Sequence, residues 1–117
     1  MKGSNVGSIY HEVHGDGPAL VLAHGMGGNH ASWFNQVPFF SRWFKVITFD
    51  HRGFGNSGDL EGGADRSRFP DDLKDLFDQL GIAKAILVAQ SMSGGTCAAF
   101  AIGNRKQPLL IDLSHLH

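Results

Sequence analysis

One pattern constrains this chain more than any other. A short run that is apolar on both faces is followed by a glycine-rich loop and then by helical spacing, and the unit recurs. Ala19–Ala23 reads Ala-Leu-Val-Leu-Ala, the unbroken apolar run of a strand covered on both sides. It runs into His24-Gly25-Met26-Gly27-Gly28-Asn29. Lys45–Phe49 runs into Asp50-His51-Arg52-Gly53-Phe54-Gly55-Asn56-Ser57. Ala85–Ala89 runs into Gln90-Ser91-Met92-Ser93-Gly94-Gly95, and a helix of small residues is expected through about Ile102.

Weaker signals fill the gaps. Ile9–Val13 alternates as a half-buried strand, and residues 14–18 form a turn. Ser32–Phe44 is aromatic-rich and predicts a short helix interrupted near Pro38. Pro70 opens a clear helix, with Asp71 and Asp72 favouring its N-terminal dipole. Leu73, Leu76, Phe77 and Leu80 fall at i, i+3, i+4 and i+7 and make one apolar stripe, and Gly81 ends it. Pro108–Leu113 is a last candidate strand. Strands alternating with helices give an α/β class with a mostly parallel sheet. Sites in such sheets lie beyond the carboxyl ends of the strands, where all three glycine-rich loops fall.

The totals fit this reading. A chain of 117 residues is read as one domain, 1–117. Ten basic and eleven acidic side chains give a formal net charge of -1, no basis for expecting nucleic acid or an anionic membrane as partner. A single cysteine, Cys97, rules out an internal disulfide and reads as a small buried side chain in a reducing compartment. Met1–Tyr10 lacks the apolar run of a signal peptide, and no stretch approaches the roughly 18 apolar residues of a membrane span. The expectation is a cytoplasmic protein.

Ser91 is the first chemical candidate. A serine becomes a nucleophile only when exposed, oriented and served by a base. A tight strand-to-helix turn projects its hydroxyl off the sheet, and that turn needs small residues two before and two after it. Ala89 and Ser93 meet this in a relaxed Ala-x-Ser-x-Ser form, with Gln90 beside the serine. Serine also serves as an ordinary turn or N-cap residue. The position after a buried strand favours the nucleophile. Acyl transfer needs preformed N–H donors for the developing oxyanion. The loop at Gly25 and Gly27 can present one, with His24 shaping the loop rather than acting as base. Within the second loop, Asp50, Arg52 and Ser57 are expected to tie the backbone together by hydrogen bonds and a charge pair.

His-Gly-x-Gly-Gly, Asp-x-Arg-Gly-x-Gly-x-Ser and the nucleophile turn, in this order from about Ile9 to Ile102, resemble the α/β-hydrolase superfamily. The style is that of its esterase, enol-lactonase and haloperoxidase-like branch. The resemblance implies Ser91 as nucleophile, with the Met26 and Met92 amides as oxyanion hole. It implies a truncated α/β-hydrolase fold without lid and last strands, since the positions of the family's acid and base lie beyond this sequence. His115 or His117 could then serve Ser91, because a last strand beside the one leading to Ser91 would bring the tail to the same edge. Asp112 and Asp50 are the nearby acids, and His51 and His30 the less favoured bases. The expected activity is hydrolysis of short or activated small-molecule esters, with no cofactor and no metal. The competing readings are an inactive fragment and a non-catalytic binding module. An exposed last strand predicts a homodimer or larger homo-oligomer. Trp33, Phe34, Phe39, Phe40, Trp43 and Phe44 are expected mostly in core packing.

Overall fold

The computed structural model describes residues 2–4, 9–24, 29–58, 63, 66–83, 85–89 and 109–112. Eight elements form its frame: β1 (Lys2–Ser4), β2 (His11–His14), β3 (Ala19–Ala23), α1 (Gln36–Phe40), β4 (Lys45–Phe49), α2 (Phe69–Leu80), β5 (Ala85–Ala89) and β6 (Leu109–Asp112). Short 3₁₀ turns occupy His30–Trp33, Gly55–Ser57 and Arg66–Arg68.

The strands make one six-stranded sheet in the order β1-β2-β4-β3-β5-β6. The last four in that order run parallel, while β1 and β2 are antiparallel additions at one edge. The register places Leu20 beside Val46 and Ile86, and Leu22 beside Thr48 and Val88. Alternation then splits each strand between two cores. Val21, Ala23, Ile47, Phe49, Leu87 and Ala89 face one side and pack with Leu73, Leu76 and Phe77 of α2. Leu20, Leu22 and Val46 face the other, with Trp33 and the half-buried Val37, Phe40 and Phe44. Both faces are covered, which is why Ala19–Ala23 and Ala85–Ala89 are apolar throughout and Lys45–Phe49 is apolar but for Lys45 and Thr48.

The outer elements depart from the sequence expectation. The strand expected over Ile9–Val13 runs His11–His14, and Ile9 is a buried core residue just ahead of it. β1 carries no apolar signal; its ladder with β2 makes it a strand. Pro38 does not interrupt α1 but lies in its first turn, where a backbone N–H has no helical partner to lose. Of the six aromatics expected mostly in packing, Phe34, Phe39 and Trp43 are instead exposed. The Arg42 guanidinium covers the Phe39 and Trp43 rings at 4.7 and 4.5 Å. α2 begins at Phe69, one residue before the expected start, and Gly81 closes it in a left-handed conformation.

Candidate active site

Parallel strands β3, β4 and β5 point their carboxyl ends to one edge. His24 leaves β3 there, Asp50 and His51 leave β4, and Ser91 stands two residues beyond the end of β5. Ser91, Met92, Gln90, Gly25, Met26, Gly27, His115 and His117 lie outside the described residues. What is described is the frame that holds the edge.

His24 is fully buried, and its Nε2 accepts the His51 backbone N–H at 2.9 Å. Accepting there puts the ring proton of the neutral form on Nδ1. The bond joins the ends of β3 and β4, and it occupies the nitrogen that a general base would need. The His51 ring meets the His24 ring edge-on at 4.6 Å and stacks on Phe69 of α2 at 4.3 Å. Burial, with a further push from the facing His24, drives the His51 pKa down to about 3.

Asp50 is the hub of the second loop and is fully buried. Its Oδ1 accepts the His30 backbone N–H and faces His30 Nδ1 at 2.8 Å, while Oδ2 accepts the Asn56 N–H at 2.8 Å. Its carbonyl accepts the Ser57 hydroxyl, whose oxygen in turn accepts the Tyr10 N–H, each at 2.8 Å. The described charge pair of this loop runs out of it. Arg52 reaches α2 instead and binds Asp72 with two parallel bonds, Nε to Oδ2 at 2.9 Å and the second terminal nitrogen to Oδ1 at 2.7 Å. The distance between these two residues in sequence hid the pairing. Asp72 nonetheless sits on the buried stripe with Phe69, Leu73 and Leu76, and an acid in that stripe is the signal that could have revealed it.

β6 pairs with β5 in parallel, with Ala89 opposite Asp112. Chain leaving both strands therefore starts from the same edge, with neighbouring strands roughly 4.8 Å apart. Among the described residues no group of three His, Cys, Asp or Glu side chains is arranged to hold a metal ion, and no helix is long and apolar enough to cross a membrane.

A family model described as the alpha/beta hydrolase fold matches residues 18–109. The "Putative carbamate hydrolase RutD" of Caulobacter sp. (strain K31) is 34% identical over 110 residues, covering 89% of this chain and 41% of that protein. A solved thermophilic esterase from Thermogutta terrifontis is 34% identical with a TM-score of 0.80, over 89% of this chain and 40% of its own. A bromoperoxidase from Bacillus anthracis is 33% identical with a TM-score of 0.83, over 95% and 43%. The chain thus spans about two-fifths of the length of these proteins.

Proposed function

This chain belongs to the α/β-hydrolase family, and from that premise we propose that it supplies the nucleophile half of a serine hydrolase acting on short or activated carboxylic esters. The observation that carries the reading is the position of Ser91. In sequence it follows β5 by two residues, and β5 is a central parallel strand that ends at the edge where His24 and Asp50 tie the neighbouring loops together. In this reading the Ser91 hydroxyl attacks the ester carbonyl and a histidine takes its proton. The Met26 and Met92 amides receive the oxyanion. The histidine returns the proton to the leaving alcohol, and water then attacks the acyl-enzyme and releases the acid. The histidine assigned is His115 or His117, which follow the strand paired with β5. The relatives named above are named for carbamate, ester and peroxidase chemistry. A serine at this position favours the acyl-transfer members of that set, and esters in particular for a nucleophile that must pass through an acyl-enzyme.

The test is turnover of a p-nitrophenyl short-chain ester by the wild-type chain and by Ser91→Ala, purified identically. Turnover that Ser91→Ala abolishes supports the reading. Equal rates from both refute it and leave a binding module or an inactive part of a larger hydrolase.

A further inference from the structure

A cavity of about 450 Å³ opens on the α1 side of the sheet, beside β2 and β4. Part of its lining is polar. Glu12 and His14 lie two apart on β2 and so share a face, and Glu12 is in register with Thr48 of β4. Much of the rest is apolar, with Phe34, Val37 and Pro38. The cavity stands apart from the candidate active site. In the sheet order β5, which leads to Ser91, is two strands beyond β4, roughly 10 Å away.

Charge is out of balance here. Glu12 Oε1 faces His14 Nε2 and Oε2 faces His30 Nε2, each at 3.2 Å, and the Tyr10 hydroxyl donates to Oε2 at 2.6 Å. Behind this contact, His30 Nδ1 is 2.8 Å from Oδ1 of the buried Asp50. Burial pushes the Glu12 pKa up, but hydrogen bonds from Tyr10 and His14 and the pull of the two imidazoles outweigh this and hold it below the usual carboxylate range. The bond to Glu12, with burial, keeps the Tyr10 hydroxyl protonated to about 12, so it adds no charge at neutral pH. Counted with neutral imidazoles, the cluster carries the negative charges of Glu12 and Asp50, and among the described residues no Lys or Arg pairs with either. A carboxylate has about four acceptor sites. Tyr10, His14 and His30 address three of those on Glu12. Thr48 supplies a second acceptor. It is 1% exposed and lines the cavity, and no hydrogen bond engages its hydroxyl among the described residues. A buried polar group without a partner is unfavourable, and a donor on a ligand would relieve it.

We propose that this cavity binds a small organic amine, whose ammonium donates to Glu12 and to the Thr48 hydroxyl while its apolar or aryl body lies against Phe34, Val37 and Pro38. The class is selected from both ends. An ammonium offers three donors and no acceptor, which suits a carboxylate and a hydroxyl with room to accept. The Phe34 ring is 71% exposed and presents a π face that attracts a cation and covers an apolar body. A metal ion lacks its ligand set, since among the described residues no three His, Cys, Asp or Glu side chains are placed to hold one. An anion would meet the uncompensated carboxylates.

The experiment is a calorimetric titration of the full chain with phenethylamine, with the backbone amides of Glu12 and Thr48 followed by NMR on ¹⁵N-labelled protein. Phenethyl alcohol, which has the same shape without the charge, and the anion hydrocinnamate are the controls. The expected result is saturable binding of the amine that shifts both amides, with the alcohol bound about tenfold more weakly or worse and no binding of hydrocinnamate. Glu12→Gln keeps the shape and removes the charge, and should weaken the amine about tenfold while leaving the alcohol unchanged. Thr48→Val removes only the hydroxyl and should weaken the amine several-fold. No binding of the amine, equal binding of amine and alcohol, or shifts confined to other parts of the chain overturn the proposal, as does a Glu12→Gln variant that binds the amine as tightly as wild type. The wild-type comparison of amine with alcohol decides the matter if a variant does not fold. None of these readouts uses ester turnover, so failure of the esterase reading leaves the test intact.

Discussion

Replacing Asp72 by Ala would remove one half of the buried pair that pins the second loop to α2. Both side chains are close to fully buried, at 11% exposure for Arg52 and 9% for Asp72, and the two bonds are short and parallel. Two effects compete for the magnitude. Asp72 lies in the first turn of α2, where a carboxylate gains about 0.3–1 kcal/mol from the helix dipole. Breaking a buried pair by deleting one partner costs about 3–5 kcal/mol, because the remaining charge stays buried without the carboxylate that faced it. The second effect is several times the first, so the pair decides the outcome. A domain of this size shifts by about 4 °C per kcal/mol, so Asp72→Ala should melt roughly 12–20 °C below wild type. Asp71→Ala is the internal control. Asp71 is exposed in the same turn and loses only the dipole contribution, about 1 kcal/mol or less. Calorimetry or circular dichroism on the two variants reads the difference directly. The double variant Arg52→Met with Asp72→Leu should recover more than half of the loss, since an apolar pair of similar volume buries neither charge. Equal melting temperatures for Asp72→Ala and Asp71→Ala would refute the reasoning.

Two further outcomes follow from the same edge. His51 is held neutral, with a pKa near 3 against about 6.5 in an unfolded chain. Between those values the unfolded state binds a proton that the folded state does not, so stability is full above about pH 6.5 and falls as pH drops toward 3. This one group contributes a slope of up to about 1.4 kcal/mol per pH unit; His51→Phe, which keeps an aromatic ring on Phe69, should flatten that slope in urea titrations between pH 4 and about 6.5, and an unchanged slope would count against it. Gly55→Ala should cost about 1–3 kcal/mol, read as a lowered urea midpoint: its φ is +49° and an added Cβ would sit 2.6 Å from Asp50 Oδ2. A neutral result would mean that Asp50 moves freely, against its buried ties.

The legible part of this fold is the part where one physical cause acts alone. Ala19–Ala23, Lys45–Phe49 and Ala85–Ala89 coincide with observed strands because every position in them is buried or half-buried. α2 was legible because its stripe is long enough to show the helical period. Elements fixed by partners left little trace. β1 exists through its ladder with β2, and the start of β2 shifted because Ile9 is buried without being in the strand. Pro38 misled because a proline breaks a helix only beyond its first turn. Of the site, the gathering of loops at one edge could be read from strand order, and the β5–β6 pairing matched the expectation. The long-range ties could not, since Arg52 with Asp72, and Glu12 with His30, join residues about twenty apart.

Those ties bear on which histidine could serve Ser91. His24 gives its Nε2 to the His51 backbone, and His51 is stacked against Phe69 and kept neutral far below the range in which a base must exchange protons. His30 and His14 are both engaged with Glu12, and His30 with Asp50 as well. His11 lies on β2, three strand positions from β5 in the sheet order, or about 14 Å. Each described histidine would have to abandon a bond, a stack or its strand to reach the end of β5. The two that remain in the sequence, His115 and His117, follow β6, the strand paired beside β5. In the proposed reading, with the five described histidines held by these contacts, the base is His115, His117 or a residue of another chain.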